Sequence, residues 1–102
     1  KKWIISSLSS SAKIYIDQGA SKALKSGKSL LPAGIIKIIG NFKKGDNILI
    51  VDANNIDIAR ALSSFTSEEI NKIKGLQSNQ IENILGYASK SEIVHKDDIV
   101  IL

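Results

Sequence analysis

The groups that could do chemistry in this 102-residue chain are one histidine, ten carboxylates, fourteen cations and scattered hydroxyls; cysteine is absent. Without cysteine there is no thiolate nucleophile, disulfide framework or thiolate metal site. His95 lies in a strand-like pattern and has no oriented partner of the kind a titrating catalytic group needs, so it reads as a structural or surface residue. Asp97 and Asp98 are adjacent in a polar segment, where turn formation explains them better than general acid/base pairing. The serines of Ser6–Ser11 have no base at a recognisable spacing and read as linker. No GxxxxGK[ST], GxGxxG or HExxH is present, and the GKSLL at 27–31 lacks the upstream spacing of a phosphate loop. The sequence therefore predicts neither a catalytic set nor a metal site.

Two other features carry possible binding chemistry. Gly19 and Ala20 would open a helix, where free amides and the helix dipole favour an anion, and Lys22, Lys25 and Lys28 follow closely. Such an arrangement could hold an RNA phosphate. The plainer explanation is that Gly19 lets a strand turn into the helix. Arg60, the only arginine, falls on an otherwise apolar side of its strand, and Asp46 and Asp52 are its candidate ion-pair partners at a sheet rim. The five aromatics stand singly and form no base-stacking platform.

The elements that must position these groups can be read in order. Lys13–Asp17 alternates as a strand, and Gln18–Gly27 carries Ala20, Ala23 and Leu24 at helical spacing with Gly27 as its stop. Pro32 opens a bend toward Gly34. The isoleucines of 34–40 fit helical spacing too, but β-branching between two glycines favours a strand. KKGD at 43–46 is a turn, and Ile48–Val51 reads as a strand covered on both faces. Asn54 and Asn55 mark a turn that tolerates left-handed backbone. Ile56, Ile58 and Leu62 would then line one side of a further strand, with Ala59 and Ala61 opposite. Thr66 and Glu69 spell a capping box, with Phe65 placed to staple onto Ile70. A short helix begins at Ser78, carries Ile81, Ile84 and Leu85 on one face, and stops at Gly86. Strands near Glu92–His95 and Ile99–Leu102 complete a count of about six strands and three short helices in an α+β, mainly β domain.

One domain of this length can bury a core without staples. The net charge of +4 is unevenly spread: residues 1–51 carry +7 and residues 52–102 carry −3. That asymmetry permits a polyanion-facing side, although thirteen of the fourteen cations are lysine, the poorer residue for bidentate phosphate or base recognition. The apolar runs are too short for a membrane span or a signal peptide, and the lack of cysteine is compatible with a cytoplasmic location. Residues 1–11, with apolar Trp3, Ile4, Ile5 and Leu8, read as a lead-in from something longer, and residues 12–102 as the domain.

The segments D-x-GA-x-x-AL-x-x-GKSLL (17–31), GI…GNF-x-x-GD (34–46) and IAR (58–60) resemble the PUA domain family. GKSLLPAGI, SEEINKIKG (67–75), IENILGY (81–87) and IVHKDDIVIL (93–102) are most similar to the carboxy-terminal PUA domains of bacterial glutamate 5-kinases, so the resemblance spans nearly the whole chain. Three positions depart from that pattern: Ala61 in place of glycine, Phe65 in place of tyrosine and Lys96 in place of arginine. They weaken any role for a tyrosine hydroxyl or an arginine fork. The resemblance implies a six-stranded mixed pseudo-barrel with short helices packed on it. It also implies a parent enzyme that phosphorylates L-glutamate with ATP and Mg²⁺, the first step of proline synthesis. That chemistry would sit in an amino-terminal amino-acid kinase domain of the same polypeptide, in a homo-oligomer, with no cofactor on the present chain. By analogy with RNA-modifying relatives, the RNA face would comprise Gly19, Ala20, Lys22, Lys25, Lys28 and Lys96. A regulatory or assembly role is the leading expectation, and RNA binding the alternative.

Overall fold

The structure is a computed structural model, and it describes residues 12–86 and 92–102. The elements are β1 (Lys13–Ile16), α1 (Gln18–Lys25), β2 (Ile35–Ile39), β3 (Asn47–Val51), β4 (Asp57–Leu62), α2 (Ser67–Ile73), α3 (Ile81–Leu85) and β5 (Ile99–Ile101). Single 3₁₀ turns occupy Pro32–Gly34, Ser78–Gln80 and Lys96–Asp98. The strands form one mixed sheet in the order β2-β1-β3-β4-β5, in which β1 and β3 are parallel and every other pair is antiparallel.

The period-two pattern of the strands decides where the core lies. Ile14, Ile48, Ile50, Ala59 and Ala61 are fully buried on the inner face, where Leu24, Phe65, Ile70, Ile73 and Ile81 join them. All five residues of β3 are buried, as expected for the central strand of a covered sheet. The 34–40 run is a strand, with a bulge that puts Ile35 opposite Ile16 and Lys37 opposite Tyr15. The capping box is complete: Thr66 Oγ1 accepts from the Glu69 amide at 3.1 Å and Glu69 Oε1 from the Thr66 amide at 2.9 Å.

Four expectations need correction. The class holds, but the described residues contain five strands in place of about six. The predicted 92–95 strand is reduced to one bridge, Leu30 to Val94. Gly27, with φ +84°, and the ring of Pro32 leave only a short extended stretch around Leu30 for a ladder to use. Ile56 is not in β4 and is exposed, because Asp52 Oδ1 accepts from the Asn54 and Ile56 amides and folds the turn around it. The left-handed residue of that turn is Asn55, with φ 64°. On α3 the apolar face narrows to Ile81 and Leu85, since Ile84 is half exposed. The Lys96–Asp98 segment is a 3₁₀ turn capped by His95, whose Nδ1 accepts from the Asp97 amide at 3.1 Å. Trp3, Ile4, Ile5, Leu8 and Tyr87 lie outside the described residues.

Candidate functional site

The site foreseen at the start of α1 is built by local hydrogen bonding. Asp17 leaves β1 extended and caps the helix: its Oδ1 accepts from the Ala20 amide at 2.8 Å, and its carbonyl accepts from the Ser21 amide at 3.0 Å. The chain's own carboxylate thus occupies the position that an external anion would seek at a helix start. The expectation of an open amide at Ala20 is corrected accordingly.

Two glycines flank this corner, and they differ. A Cβ on Gly34 would fall 2.5 Å from the Ala20 Cβ, so the loop that leads into β2 presses directly on the helix. The Asp17 amide donates to the Gly34 carbonyl at 3.0 Å and pins the same contact. A Cβ on Gly19 would meet only Asp17 Oδ1, at an ordinary 3.5 Å, and Gly19 needs no left-handed backbone. The strand-to-helix turn is made by Asp17, and Gly19 is not required for it.

The far end of α1 closes in a Schellman motif, with the Lys28 amide donating to the Ala23 carbonyl at 2.9 Å and the Gly27 amide to the Leu24 carbonyl at 3.0 Å. This fixes the backbone at Lys28. The next residue, Ser29, accepts from the Lys96 amide through its Oγ at 2.9 Å, and Leu30 pairs with Ile93 and Val94 beside it. Lys28 and the Lys96 turn are therefore neighbours despite their separation in sequence.

The candidate residues divide between two sides of α1. Gly19, Ala20 and Lys28 line a pocket of about 450 Å³ together with Asp17, Leu31 and Glu92. Lys22 and Lys25 lie on the other side, over a depression of about 270 Å³ that they share with Asp52 and Asn54. The first pocket is lined by one lysine, two carboxylates and the half-exposed side chain of Leu31, so it is not a simple cationic cradle. Asp17, Ser29, Leu31, Gly34 and Glu92 were not foreseen as site residues. Asp17 has a legible signal, an aspartate three residues before Ala20 at a helix start. The others depend on the Leu30–Val94 bridge, which no local pattern announces.

Arg60 faces Leu49 on β3 and Val100 on β5. Neither foreseen carboxylate pairs with it. Asp46 Oδ2 accepts from the Lys43 amide at 2.9 Å, Asp52 is engaged in its own turn, and among the described residues no carboxylate lies within ion-pair distance of Arg60. His95 Nδ1 lies 3.5 Å from Asp97 Oδ2 on the surface, in a capping arrangement.

The profile of the PUA domain matches residues 12–85. Among curated proteins the chain is 60% identical over 98% of its length to the glutamate 5-kinase of Pelagibacter ubique (strain HTCC1062). It is 50% identical over 99% to that of Bartonella henselae and 46% identical over 100% to that of Thermoanaerobacter sp. (strain X514). It spans only 27%, 27% and 28% of those three relatives, matching their carboxy-terminal portion. Among solved structures, a PUA domain from Aeropyrum pernix K1 in a tartrate complex superposes with a TM-score of 0.62 at 16% identity, over 82% of this chain and 40% of that one. A Cbf5-Nop10-Gar1 complex gives 0.58 at 27% identity, over 85% and 24%. An H/ACA RNP bound to a substrate RNA gives 0.58 at 24% identity, over 85% and 25%.

Proposed function

The chain belongs to the PUA domain family, and on that premise we propose that it is the non-catalytic carboxy-terminal domain of a glutamate 5-kinase, which it tunes or organises through protein contacts. The observation that carries this reading is the pattern of the matches. Identity of 46–60% runs across 98–100% of this chain while leaving about three quarters of each relative unmatched. ATP, Mg²⁺ and L-glutamate would be handled by that amino-terminal kinase portion, in the cytoplasm, in a homo-oligomer that makes glutamyl 5-phosphate for proline synthesis. The described residues offer no seat for the metal: among them no three His, Asp or Glu side chains gather at ligand spacing. No step of phosphoryl transfer is assigned to this chain.

Kinetics of the full polypeptide and of a version ending before Ala12 test the reading. Truncation is expected to leave glutamate phosphorylation in place and to change proline inhibition or assembly. Unchanged inhibition and unchanged assembly would refute it.

RNA binding is the second reading, favoured by the neighbour seen on substrate RNA and by the cations around α1. Here Lys22 and Lys25 would hold backbone phosphate on one side of the helix and Lys28 with Lys96 on the other. Changing Lys22, Lys25 and Lys28 to glutamate should then weaken RNA binding and flatten its dependence on salt. Affinity indifferent to both salt and charge reversal would exclude this reading.

A further inference from the structure

The turn at 52–55 stands as a wall between two open depressions, one toward β2 and one toward α1. Strand register puts it there. Tyr15, at the end of β1, is aligned with Val51 on β3 and with Lys37 on β2, so the chain leaving β3 passes beside both. The bulge in β2 leaves Ile36 without a partner on β1, and Ile36 is 52% exposed. On this side of the wall Tyr15, Ile36 and Lys37 line a depression of about 420 Å³ with Asp52, Ala53 and Asn55. On the other side lies the depression lined by Lys22 and Lys25, and Asp52 and Ala53 border both. The wall is well fixed: besides the two amides held by Asp52 Oδ1, the Asp52 amide donates to the Ile56 carbonyl and the Asn55 amide to the Asp52 carbonyl, each at 3.0 Å. Three exposed lysines therefore face one carboxylate that is already committed to backbone. Among the described residues no carboxylate lies within ion-pair distance of Lys22, Lys25 or Lys37. Between these cations sit exposed Ile36 and the partly buried Tyr15, with Lys37 Nζ 4.7 Å from its ring centre.

We propose that this double depression receives an acidic segment carrying an apolar side chain, supplied by the amino-terminal portion that the relatives possess. The proposal rests on the accessory-domain reading and names the face and the chemistry of its contact. The apolar side chain would lie against Ile36 and Tyr15, and its flanking carboxylates would meet Lys37 on one side of the wall and Lys22 with Lys25 on the other. Charge and apolar exposure together select this occupant. A nucleic-acid strand would satisfy the lysines but leave Ile36 unused, and Lys37 already covers the ring face on which a base would stack. A second copy of the same face would set lysines against lysines. The portion outside this chain makes up about three quarters of each relative, enough to present such a segment from within the same polypeptide. At an effective concentration on the order of millimolar, an intrinsic Kd of about 0.1 mM keeps the contact closed about nine-tenths of the time.

The test is lysine acylation of the full polypeptide, read site by site by mass spectrometry, with exposed Lys44 and Lys72 as references. Lys22, Lys25 and Lys37 should be acylated roughly tenfold more slowly than the references, the protection given by a contact closed about nine-tenths of the time. Ile36→Asp, at an exposed position, should restore the reactivity of Lys22 and Lys25 across the wall, which a purely local effect on Lys37 would not do. Lys37→Glu should do the same and keeps the test sound if either variant folds poorly. Zero-length carbodiimide linking of mixed light and heavy protein should join these lysines to carboxylates of the preceding portion within one polypeptide. Reactivity equal to that of the references, protection untouched by both variants, or links only between copies overturns the proposal. So does protection that nuclease removes and added oligouridylate restores, which assigns the face to nucleic acid. If a polypeptide ending before Ala12 shows altered proline inhibition or assembly while these lysines are unprotected in the full polypeptide, the face is wrong and the accessory reading stands. If that truncation alters neither, the reading itself falls.

Discussion

Replacing Gly34 by alanine puts the helix-to-loop contact to a quantitative test. The new methyl would lie 2.5 Å from the Ala20 Cβ, whereas carbon atoms settle about 3.5–4.0 Å apart, so the loop or α1 must retreat by roughly 1 Å or more. Retreat would strain the Asp17 amide bond to the Gly34 carbonyl, now 3.0 Å. Overpacking of this kind costs about 1–3 kcal/mol, and loss of glycine freedom in the unfolded chain returns about 0.4–1 kcal/mol. The net expectation is destabilisation by about 1–2 kcal/mol, or a melting temperature lower by roughly 4–16 °C in a domain of this size. Gly19→Ala is the control, with an ordinary contact and a helical position, and should stabilise by about 0.5–1 kcal/mol. Ala20→Gly removes the opposing methyl, so in urea unfolding the Gly34→Ala/Ala20→Gly pair should be more stable than the sum of the single losses. A neutral Gly34→Ala, a Gly19→Ala equally damaging, or strict additivity of the pair would refute the reasoning.

Thr66→Ala removes the hydroxyl of the capping box and should cost about 1 kcal/mol with an unchanged denaturant slope, measured by urea titration. Asn55→Val forces a β-branched residue to φ 64° and should cost about 1–2 kcal/mol, while Asn55→Gly should be nearly neutral by the same measurement. Asp17→Ala should cost about 1 kcal/mol by loss of the α1 cap, and Asp17→Asn, which keeps an accepting oxygen, should recover most of it in thermal melts. Ile50→Ala, in the fully buried central strand, should cost about 2–5 kcal/mol and abolish cooperative melting at moderate temperature.

What could be read from sequence and what could not separates along physical lines. The Thr66/Glu69 box and the Gly27 stop are decided by residues within a turn of one another, and both stand in the structure where the pattern put them. The split of the lysines around α1 is not legible from helical periodicity, because Lys22, Lys25 and Lys28 stand three apart and Lys28 parts from the other two only where the chain turns at Gly27. Arg60 was misjudged because Asp46 and Asp52 bind backbone amides of their own turns; short acidic side chains find such local donors before distant cations. The bulge at Ile36, the Leu30–Val94 bridge and the pressure of Gly34 on Ala20 arise only when separate segments meet, and a list of residue types contains no trace of them.

The placement of β1 between β2 and β3 has a mechanical consequence. A load applied along β1 falls on a strand gripped from both sides, so two ladders resist together in shear and neither peels open bond by bond. Displacement of an attached body would therefore swing the sheet as one rigid paddle, with α1 and the corner at Asp17 carried along as its passengers.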